Sequence, residues 1–450
     1  MPANLVNIDR ETPFLMPPDL RDWVAPDDSV HFIIEAVNTL PEHLFHLNRR
    51  GSGSQQYPPK MMMALLAYCY SRRIVSSRRI EQATHHHVAV RLITGNHHPD
   101  HDTIAAFRRN NGIAFKEGFV QILLLAEHIG MLHVGTVSVD GTRIKANASK
   151  DQNVRYDRGV ELIERLEADV AKLIEEAEAA DRQPEPDDRL PAALAKREKL
   201  LKKLQAGKAE LERRARDRAR AAHDRHEQEL REREASQGKR GPKPKAPPPV
   251  HEAEPRPEEQ VNLTDADSRL MVKSGQVVQG YNAQAVVDAQ GSMLILAALV
   301  VQGGDMGQLV NVIDAVDDRV GRPDRVLADA GYAKAEDIRE LEKRGMDPHV
   351  AVDRMDLREY EYRPKKGEGK PPKHLKDPTL VAMRAKLETD EGRSVYRLRQ
   401  QTVEPAFGTV KEHRGFRQFG MRGLAKAAIE WDLAALAYNL ERIHRWKQAA

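Results

Sequence analysis

The segment from residue 151 to 260 constrains the fold most, because 51 of its 110 residues are charged, 25 basic and 26 acidic. Charged side chains are rarely buried, so this segment cannot supply the interior of a globular domain. Its apolar residues recur three and four positions apart, which predicts a helical hairpin or coiled coil with a narrow apolar seam. The first seam comprises Ile163, Leu166, Val170, Leu173, Ala177 and Ala180. The main core must therefore form on either side of a solvated helical insertion.

Changes in composition divide the rest of the chain. A length of 450 residues suits about three folding units. We predict a helical domain at 1–130, the first strand or strands of an α/β domain at 131–150, the insertion at 151–238, a Pro/Lys-rich linker at 239–260, and the remainder of the α/β domain with C-terminal helices at 261–450.

Hydrophobic patterning gives the order of elements in the α/β part. Strands are predicted at 136–140, 281–287, 292–301, 325–329 and 349–352, and helices at 306–320, 335–343 and 424–446. The apolar residues of the last helix, Trp431, Leu433, Leu436 and Leu440, are expected in the core. Early strands followed by alternating strands and helices predict one mixed sheet with helices on its faces, which resembles the RNase H-like α/β layout.

Several protein classes are excluded. A single cysteine, Cys69, rules out a disulfide scaffold and a cysteine-based zinc site. The first residues lack the basic and apolar regions of a secretory signal, and the longest apolar run, near 293–301, is shorter than a bilayer requires. We therefore expect a soluble, cytoplasmic protein that is not bound to a membrane.

The net charge of +3 conceals local basic regions. Residues 1–48 hold eight acids and two bases, whereas 49–109 hold ten bases and three acids, and 363–376 hold six bases and one acid. Candidate phosphate contacts are Arg72, Arg73, Arg78, Arg79, Arg108, Arg109, Lys365 and Lys366. A solvated helical face is the alternative explanation for the arginines.

Three acidic residues are candidates for chemistry: Asp140, Asp329 and Glu404. Each also has a structural explanation. Asp140 with Gly141 is typical of a hairpin turn, Asp329 of a loop cap, and Glu404 before Pro405 of a helix start. Taken together, they lie where the predicted sheet would gather carboxylates. Converging carboxylates repel, so such a cluster requires a hard divalent cation, Mg²⁺ or Mn²⁺.

Other polar groups carry weaker signals. Asp265, Asp267 and Asp305 are candidates for auxiliary site residues or for loop and capping roles. Histidines at 85–87, 97, 98 and 101 suggest either a zinc site or a surface cluster, and the absence of a cysteine partner favours the surface cluster. No phosphate-binding Gly-x-x-x-x-Gly-Lys-Ser/Thr loop is present, so no nucleotide cofactor is expected.

Several motifs resemble those of bacterial insertion-sequence transposases of the DDE type. Residues 137–142 and 327–332 resemble the motifs around the first two acids, and Tyr396, Arg399, Glu404 and Lys411 resemble the Tyr-Arg-Glu-Lys signature around the third. Segments 99–108, 264–269 and 280–284 match the family as well. Four residues rather than the usual three separate Arg399 from Glu404, so Arg397 is an alternative for the arginine of the signature.

The resemblance implies a DNA transposase that binds terminal inverted repeats, cuts the ends of its element and joins them to target DNA. It implies two Mg²⁺ or Mn²⁺ ions held by Asp140, Asp329 and Glu404, with Tyr396, Arg399 and Lys411 at phosphate beside the cut. Double-stranded DNA, association as a homodimer or larger assembly, and location at the bacterial nucleoid follow from the same resemblance. The alternatives are a catalytically inactive, transposase-derived DNA-binding protein and a coiled-coil scaffold.

Overall fold

The computed structural model describes residues 19–47, 55–180, 189–235, 245–273, 275–352 and 377–449. The chain forms two compact units. The first unit comprises the described parts of 1–142, 282–420 and 425–450, and the second unit comprises those of 143–281 and 421–424. The chain is mixed α/β, as the sequence predicts, and the basic segment 363–376 with Lys365 and Lys366 lies outside the described residues.

The amino-terminal part of the first unit is helical. Its helices are α1 (Ser29–Asn38), α2 (Pro59–Ser71), α3 (Ser77–His86), α4 (Val88–Thr94), α5 (His101–Asn110) and α6 (Gly112–His128). Pro59 begins α2, where its missing N–H costs nothing, and Asp100 caps α5 by accepting from Thr103 N at 2.8 Å. The sequence predicts one continuous helix over the last two, but the chain breaks at Asn111, whose side chain accepts from His46 N.

The first unit also contains the main sheet. Its strands are β1 (Thr136–Lys145), β5 (Gln276–Asp288), β6 (Ile295–Val301), β7 (Arg325–Ala328) and β8 (Asp347–Val350), of which β1 and β5 continue into the second unit. The strand order is β6-β5-β1-β7-β8. β1 pairs with β7 and β7 with β8 in parallel, whereas β5 and β6 are antiparallel. The strands predicted at 281–287 and 292–301 pair as an antiparallel hairpin, and the predicted mixed sheet is confirmed.

Five further helices accompany this sheet: α9 (Leu309–Asp314), α10 (Ala335–Lys343), α11 (Pro378–Glu388), α12 (Asp390–Gly408) and α13 (Leu424–Ala449). The predicted core face of α13 is confirmed, because Trp431, Leu433, Leu436 and Leu440 are all buried. Two polar groups fix this helix on the sheet. Trp431 Nε1 donates to the Gln284 carbonyl at 2.8 Å, and the Asn439 amide bonds both backbone groups of Ile295.

The second unit contains the charged insertion. Its elements are β2 (Asn153–Arg155), α7 (Tyr156–Ala180), α8 (Arg189–Ala235), β3 (Gln260–Asn262) and β4 (Arg269–Lys273). Helices α7 and α8 pack along each other, and the short strands β2 and β3 pair antiparallel at the base of the pair. Leu204, Leu211 and Val261 are among its buried apolar residues. Coiled-coil geometry stays a prediction. In the described parts of both units, no helix is long and apolar enough to cross a membrane.

A buried polar network ties α2, α5 and α13 together within the first unit. Arg108 Nη1 donates to the Tyr70 hydroxyl at 2.7 Å and lies 3.4 Å from Glu430 Oε1, and the Tyr70 hydroxyl donates to the same Glu430 oxygen at 2.9 Å. Arg108 is 6% exposed and Glu430 1% exposed. Arg108 is therefore a core residue here rather than a surface cation.

Because the pair is buried, Glu430→Gln is expected to lower the free energy of unfolding by about 3–5 kcal/mol, since it leaves the Arg108 charge uncompensated. Tyr70→Phe removes only a hydroxyl, and its expected cost is about 1 kcal/mol. Urea denaturation of the two variants measures the difference. Equal, small losses would show that the ion pair does not matter to stability.

Candidate active site

Asp140 lies within β1, which continues past it to Lys145. The hairpin-turn explanation for Asp140 and Gly141 is therefore wrong. Val137 and Val139 before it are fully buried, and the Asp140 side chain is 16% exposed. A carboxylate this enclosed needs a compensating cation or hydrogen bonds.

Asp329 follows β7 directly and lies beside Asp140. β1 and β7 are parallel neighbours with Val139 opposite Ala328, so the next residue on each chain is an aspartate. Asp329 Oδ1 also accepts from Gly331 N at 2.8 Å, which makes it the cap of a short 3₁₀ turn. Asp329 therefore caps a turn and also lies at the carboxyl end of a sheet strand, where the sites of α/β proteins form.

Glu404 lies near the carboxyl end of α12, not at a helix start as predicted, and Pro405 lies inside the helix. The helix begins instead at Asp390, where Thr389 accepts from Gly392 N at 3.0 Å. The Thr402 hydroxyl, 2.7 Å from the Ser138 hydroxyl, fixes this helix against β1. The side chain of Glu404 is 56% exposed.

One guanidinium joins the three acids. Arg399, on α12, lies 2.9 Å from Asp140 Oδ2, 3.6 Å from Asp329 Oδ2 and 3.6 Å from Glu404 Oε1. Its side chain is 10% exposed. The structure thus brings together three acids that lie far apart in the sequence. Arg399 forms an ion pair with each of them.

The pKa values of the residues in the site reflect this convergence of charges. Burial raises the pKa of Asp140 to about 6, Arg399 opposes that rise, and the Asp329 and Asp305 carboxylates add to it. Burial also disfavours the Arg399 cation, but the surrounding carboxylates outweigh it, so its pKa is raised above the usual value. Nearby, burial raises the pKa of Tyr396 to about 12.

The remaining residues of the signature flank the acids. Tyr396 is buried one helical turn before Arg399. Lys411 lies in a π-helical turn, Thr409–His413, and its Nζ donates to Thr142 Oγ1 at 2.8 Å, two residues after Asp140. The structure therefore gathers Tyr396, Arg399 and Lys411 around the acids.

The donor set suits a hard divalent cation, because all three acids offer carboxylate oxygens. Within the part of the chain that the structure describes, however, no group of three or more His, Cys, Asp or Glu residues is close enough to share a metal ion. Arg399 holds the position that all three carboxylates approach. Entry of a metal ion would require the acids to move closer together and Arg399 to yield.

Polar residues on β5 complete the surroundings. Asn282 and Gln284 lie two positions apart, on one face of the strand, and both bond Asp305. The Tyr332 hydroxyl bonds the side-chain carbonyl oxygen of Gln284. The sequence marks these segments by motif, but only the fold shows that the amides hold Asp305.

The predicted phosphate contacts of the helical region divide into two groups. Five are exposed, namely Arg72, Arg73, Arg78, Arg79 and Arg109, whereas Arg108 is buried in the network described above. Arg72 also pairs with Asp28 at 3.3 Å and lies over the Tyr68 ring. His98 stacks on His85 at 3.9 Å, and no zinc-like group is found within the described residues.

Two family models match the chain. Residues 254–440 match the Transposase DDE domain and residues 18–110 match the Transposase domain (DUF772). The first match includes Asp329 and Glu404, while Asp140 lies outside both matched ranges and joins them only through the fold. No curated protein and no solved structure gave a match to the chain.

Proposed function

We propose that the chain is a DDE transposase of the insertion-sequence type, an assignment supported by the two transposase family models that match it. In this proposal it binds the terminal inverted repeats of its element, cuts the DNA strands there and joins them to target DNA. The observation that supports this proposal most is the convergence of Asp140, Asp329 and Glu404 on Arg399. An RNase H-like arrangement of the sheet agrees with the strand order and with the family.

Divalent metal ions are general in this family, and Asp140, Asp329 and Glu404 would hold Mg²⁺ or Mn²⁺, two ions in the proposal. When bound, such ions activate the attacking oxygen and stabilise the leaving oxygen of a phosphodiester. In the structure, Arg399 takes the place of such a cation, because it approaches all three carboxylates.

The cations beside the acids have separate tasks. Lys411, held at Thr142 within β1, is placed to meet a phosphate that approaches the acids. Arg399 neutralises the carboxylates, and a metal ion held by the same acids would leave its guanidinium available to phosphate. Tyr396 packs one helical turn before Arg399 and limits the water that reaches it.

Strand cleavage provides the direct test of this function. The full-length protein is incubated with DNA that carries the terminal sequences of its element, in Mg²⁺ or in EDTA, and the strands are separated on a denaturing gel. Nicking at the element's ends in Mg²⁺ supports the function. Binding without nicking in either Mg²⁺ or Mn²⁺ would favour the alternative, an inactive transposase-derived DNA-binding protein.

DNA contact by the helical region is proposed for the exposed arginines at the start of α3, Arg78 and Arg79. Replacing both by Gln is expected to weaken DNA binding. The plot of the logarithm of the association constant against the logarithm of the salt concentration should become less steep, by about 0.9 for each phosphate that is no longer neutralised. Titrations at several salt concentrations measure this slope. Arg322→Gln, which removes another exposed arginine of the first unit, is the control. An unchanged slope would place the DNA elsewhere.

Assembly and location are further parts of the proposal. A transposase has to bring two element ends together, so we expect a homodimer or larger assembly on DNA, located at the nucleoid. The insertion would then touch DNA or a second subunit. Light scattering of the protein with and without DNA ends measures the assembly.

A further inference from the structure

Two buried hydroxyl groups join α12 to β1 beside the acids. The side chains of Ser138, on β1, and Thr402, on α12, are both buried, and their hydroxyl oxygens lie 2.7 Å apart. Ser138 lies two residues before Asp140 on the same strand, and side chains two residues apart share one face of a strand. The hydroxyl pair therefore lies on the face of the sheet that carries Asp140.

The helix that supplies one of these hydroxyls also supplies two residues of the site. Arg399 lies about one turn before Thr402, and Glu404 lies two residues after it. Because Arg399 Nη2 is 2.9 Å from Asp140 Oδ2, two polar contacts about one helical turn apart join the helix to the strand. Glu404 lies 3.6 Å from Arg399 and is more than half exposed. Its distance from Asp140 therefore depends on where α12 lies along β1.

The hydroxyl pair restricts this placement more than apolar packing does. Val403 and Phe407 bury one face of α12, but apolar contacts are non-directional and tolerate small shifts of a helix. A hydrogen bond between two hydroxyls requires a short distance and a restricted angle. The Thr402 hydroxyl also lies 2.8 Å from the Leu398 carbonyl oxygen, so it can donate to this carbonyl while it accepts from Ser138. Burial alone does not require these hydroxyls, since apolar groups of the same shape can replace such a pair at little cost.

We propose that Ser138 and Thr402 are positioning residues of the cleavage reaction. Their hydroxyl bond fixes where α12 lies along β1, and so sets how far Arg399 and Glu404 lie from Asp140. In this role the two residues act through the acids and do not touch DNA. The inference rests on the proposed function, because it concerns the geometry of the same acids. Such geometry matters, since a displacement of about 1 Å can reduce the rate of an enzyme by about 100-fold.

The test is single-turnover cleavage of element-end DNA by variants of the full-length protein. Ser138→Ala removes the bond and leaves Thr402 its carbonyl partner, so that no buried hydroxyl is left unpaired. We expect a cleavage rate at least about tenfold lower, with little change in melting temperature or DNA affinity. Binding of Mn²⁺ to the DNA-free variant, measured by calorimetry, should weaken as well.

Two variants of the partner residue show whether the hydroxyl bond is the cause. Thr402→Val removes the bond and should lower the cleavage rate to a similar extent, whereas Thr402→Ser keeps the hydroxyl and should restore the rate. Because Ser138→Ala and Thr402→Val remove the same bond, the double variant should lose no more than the slower single variant.

Thr94→Val is the matched control. Thr94 is also a buried threonine within a helix, where its hydroxyl donates to the Arg91 carbonyl of the same helix, and this variant should cleave DNA as the wild type does. Unchanged cleavage and Mn²⁺ binding by Ser138→Ala, together with a loss by Asp140→Asn, would overturn the inference and leave the proposed function standing. Additive losses in the double variant, or an equal loss by Thr94→Val, would indicate a general loss of stability and would also overturn it. Cleavage by Asp140→Asn at the wild-type rate would overturn the proposed function and the inference together.

Discussion

Replacing Asp140 by Asn is expected to reduce metal-dependent strand cleavage by about 1,000-fold or more while DNA binding is retained. Metal-assisted stabilisation of the transition state contributes several kcal/mol, and about 4 kcal/mol corresponds to this factor. Asp329→Asn and Glu404→Gln are expected to give losses of the same order, because the three carboxylates converge on one position. Single-turnover cleavage of element-end DNA, with affinity measured separately by fluorescence anisotropy, gives both quantities.

The substitutions are isosteric and are expected to keep the fold intact, which makes the comparison interpretable. Asp318→Asn is the control, because Asp318 is exposed and forms an ion pair with Arg322. This variant should cleave DNA at the wild-type rate. Normal cleavage by Asp140→Asn would remove that residue from the site. A loss confined to Glu404→Gln, with the other two active, would indicate a different set of acids.

Replacing Arg399 by Gln is expected to lower the free energy of unfolding of the metal-free protein by about 3–5 kcal/mol. The reason is that Asp140 and its neighbours would be left without their shared counter-charge in a site where Arg399 is 10% exposed. Glu404 contributes little to this figure, since its side chain is half exposed. Urea denaturation in EDTA measures the change, and addition of Mn²⁺ should stabilise the variant more than it stabilises the wild type.

Arg393→Gln is the matched control, because Arg393 lies on the same helix and is exposed. Its cost should stay within about 0.5 kcal/mol. If Arg399→Gln costs no more than Arg393→Gln, the guanidinium does not hold the acids together. If Mn²⁺ stabilises the wild type and the variant equally, Arg399 and the metal ion do not share a position.

Elements whose pattern is local could be predicted from the sequence. The helix predicted at 335–343 has those bounds in the structure, and the strand predicted at 325–329 runs from Arg325 to Ala328. The hairpin of β5 and β6 follows from two β-rich runs around a turn. In each case, the apolar residues recur with the period of the element that forms, so that local preference and burial agree.

Elements that depend on distant partners could not be predicted. β1 runs through Gly141 because it stays in the sheet, although the Asp-Gly pair alone favours a turn. α12 passes through Pro405, and the predicted helix at 306–320 shortens to Leu309–Asp314. Arg108 resembles a surface cation in sequence, yet Glu430, 322 positions away, draws it into the core.

The site shows the same division. The three acids stand out in the sequence because each lies in a motif beside glycine or proline, which marks a turn or an approach of the backbone. The motif also marks Arg399, but its ion pair with Asp140 spans 259 positions, so only the fold shows that this cation joins the acids. The amide pair that holds Asp305 is likewise visible only when β5 lies beside the acids.

Cleavage of element-end DNA by the wild-type protein tests the central claim most directly. With Mg²⁺ present, the protein should nick the ends of its element and leave a 3′-hydroxyl that can be joined to a target plasmid, and EDTA should abolish both steps. Cleavage that persists in EDTA, or the absence of cleavage by protein that binds the same DNA in Mg²⁺ and in Mn²⁺, would contradict a metal-dependent site formed by Asp140, Asp329 and Glu404.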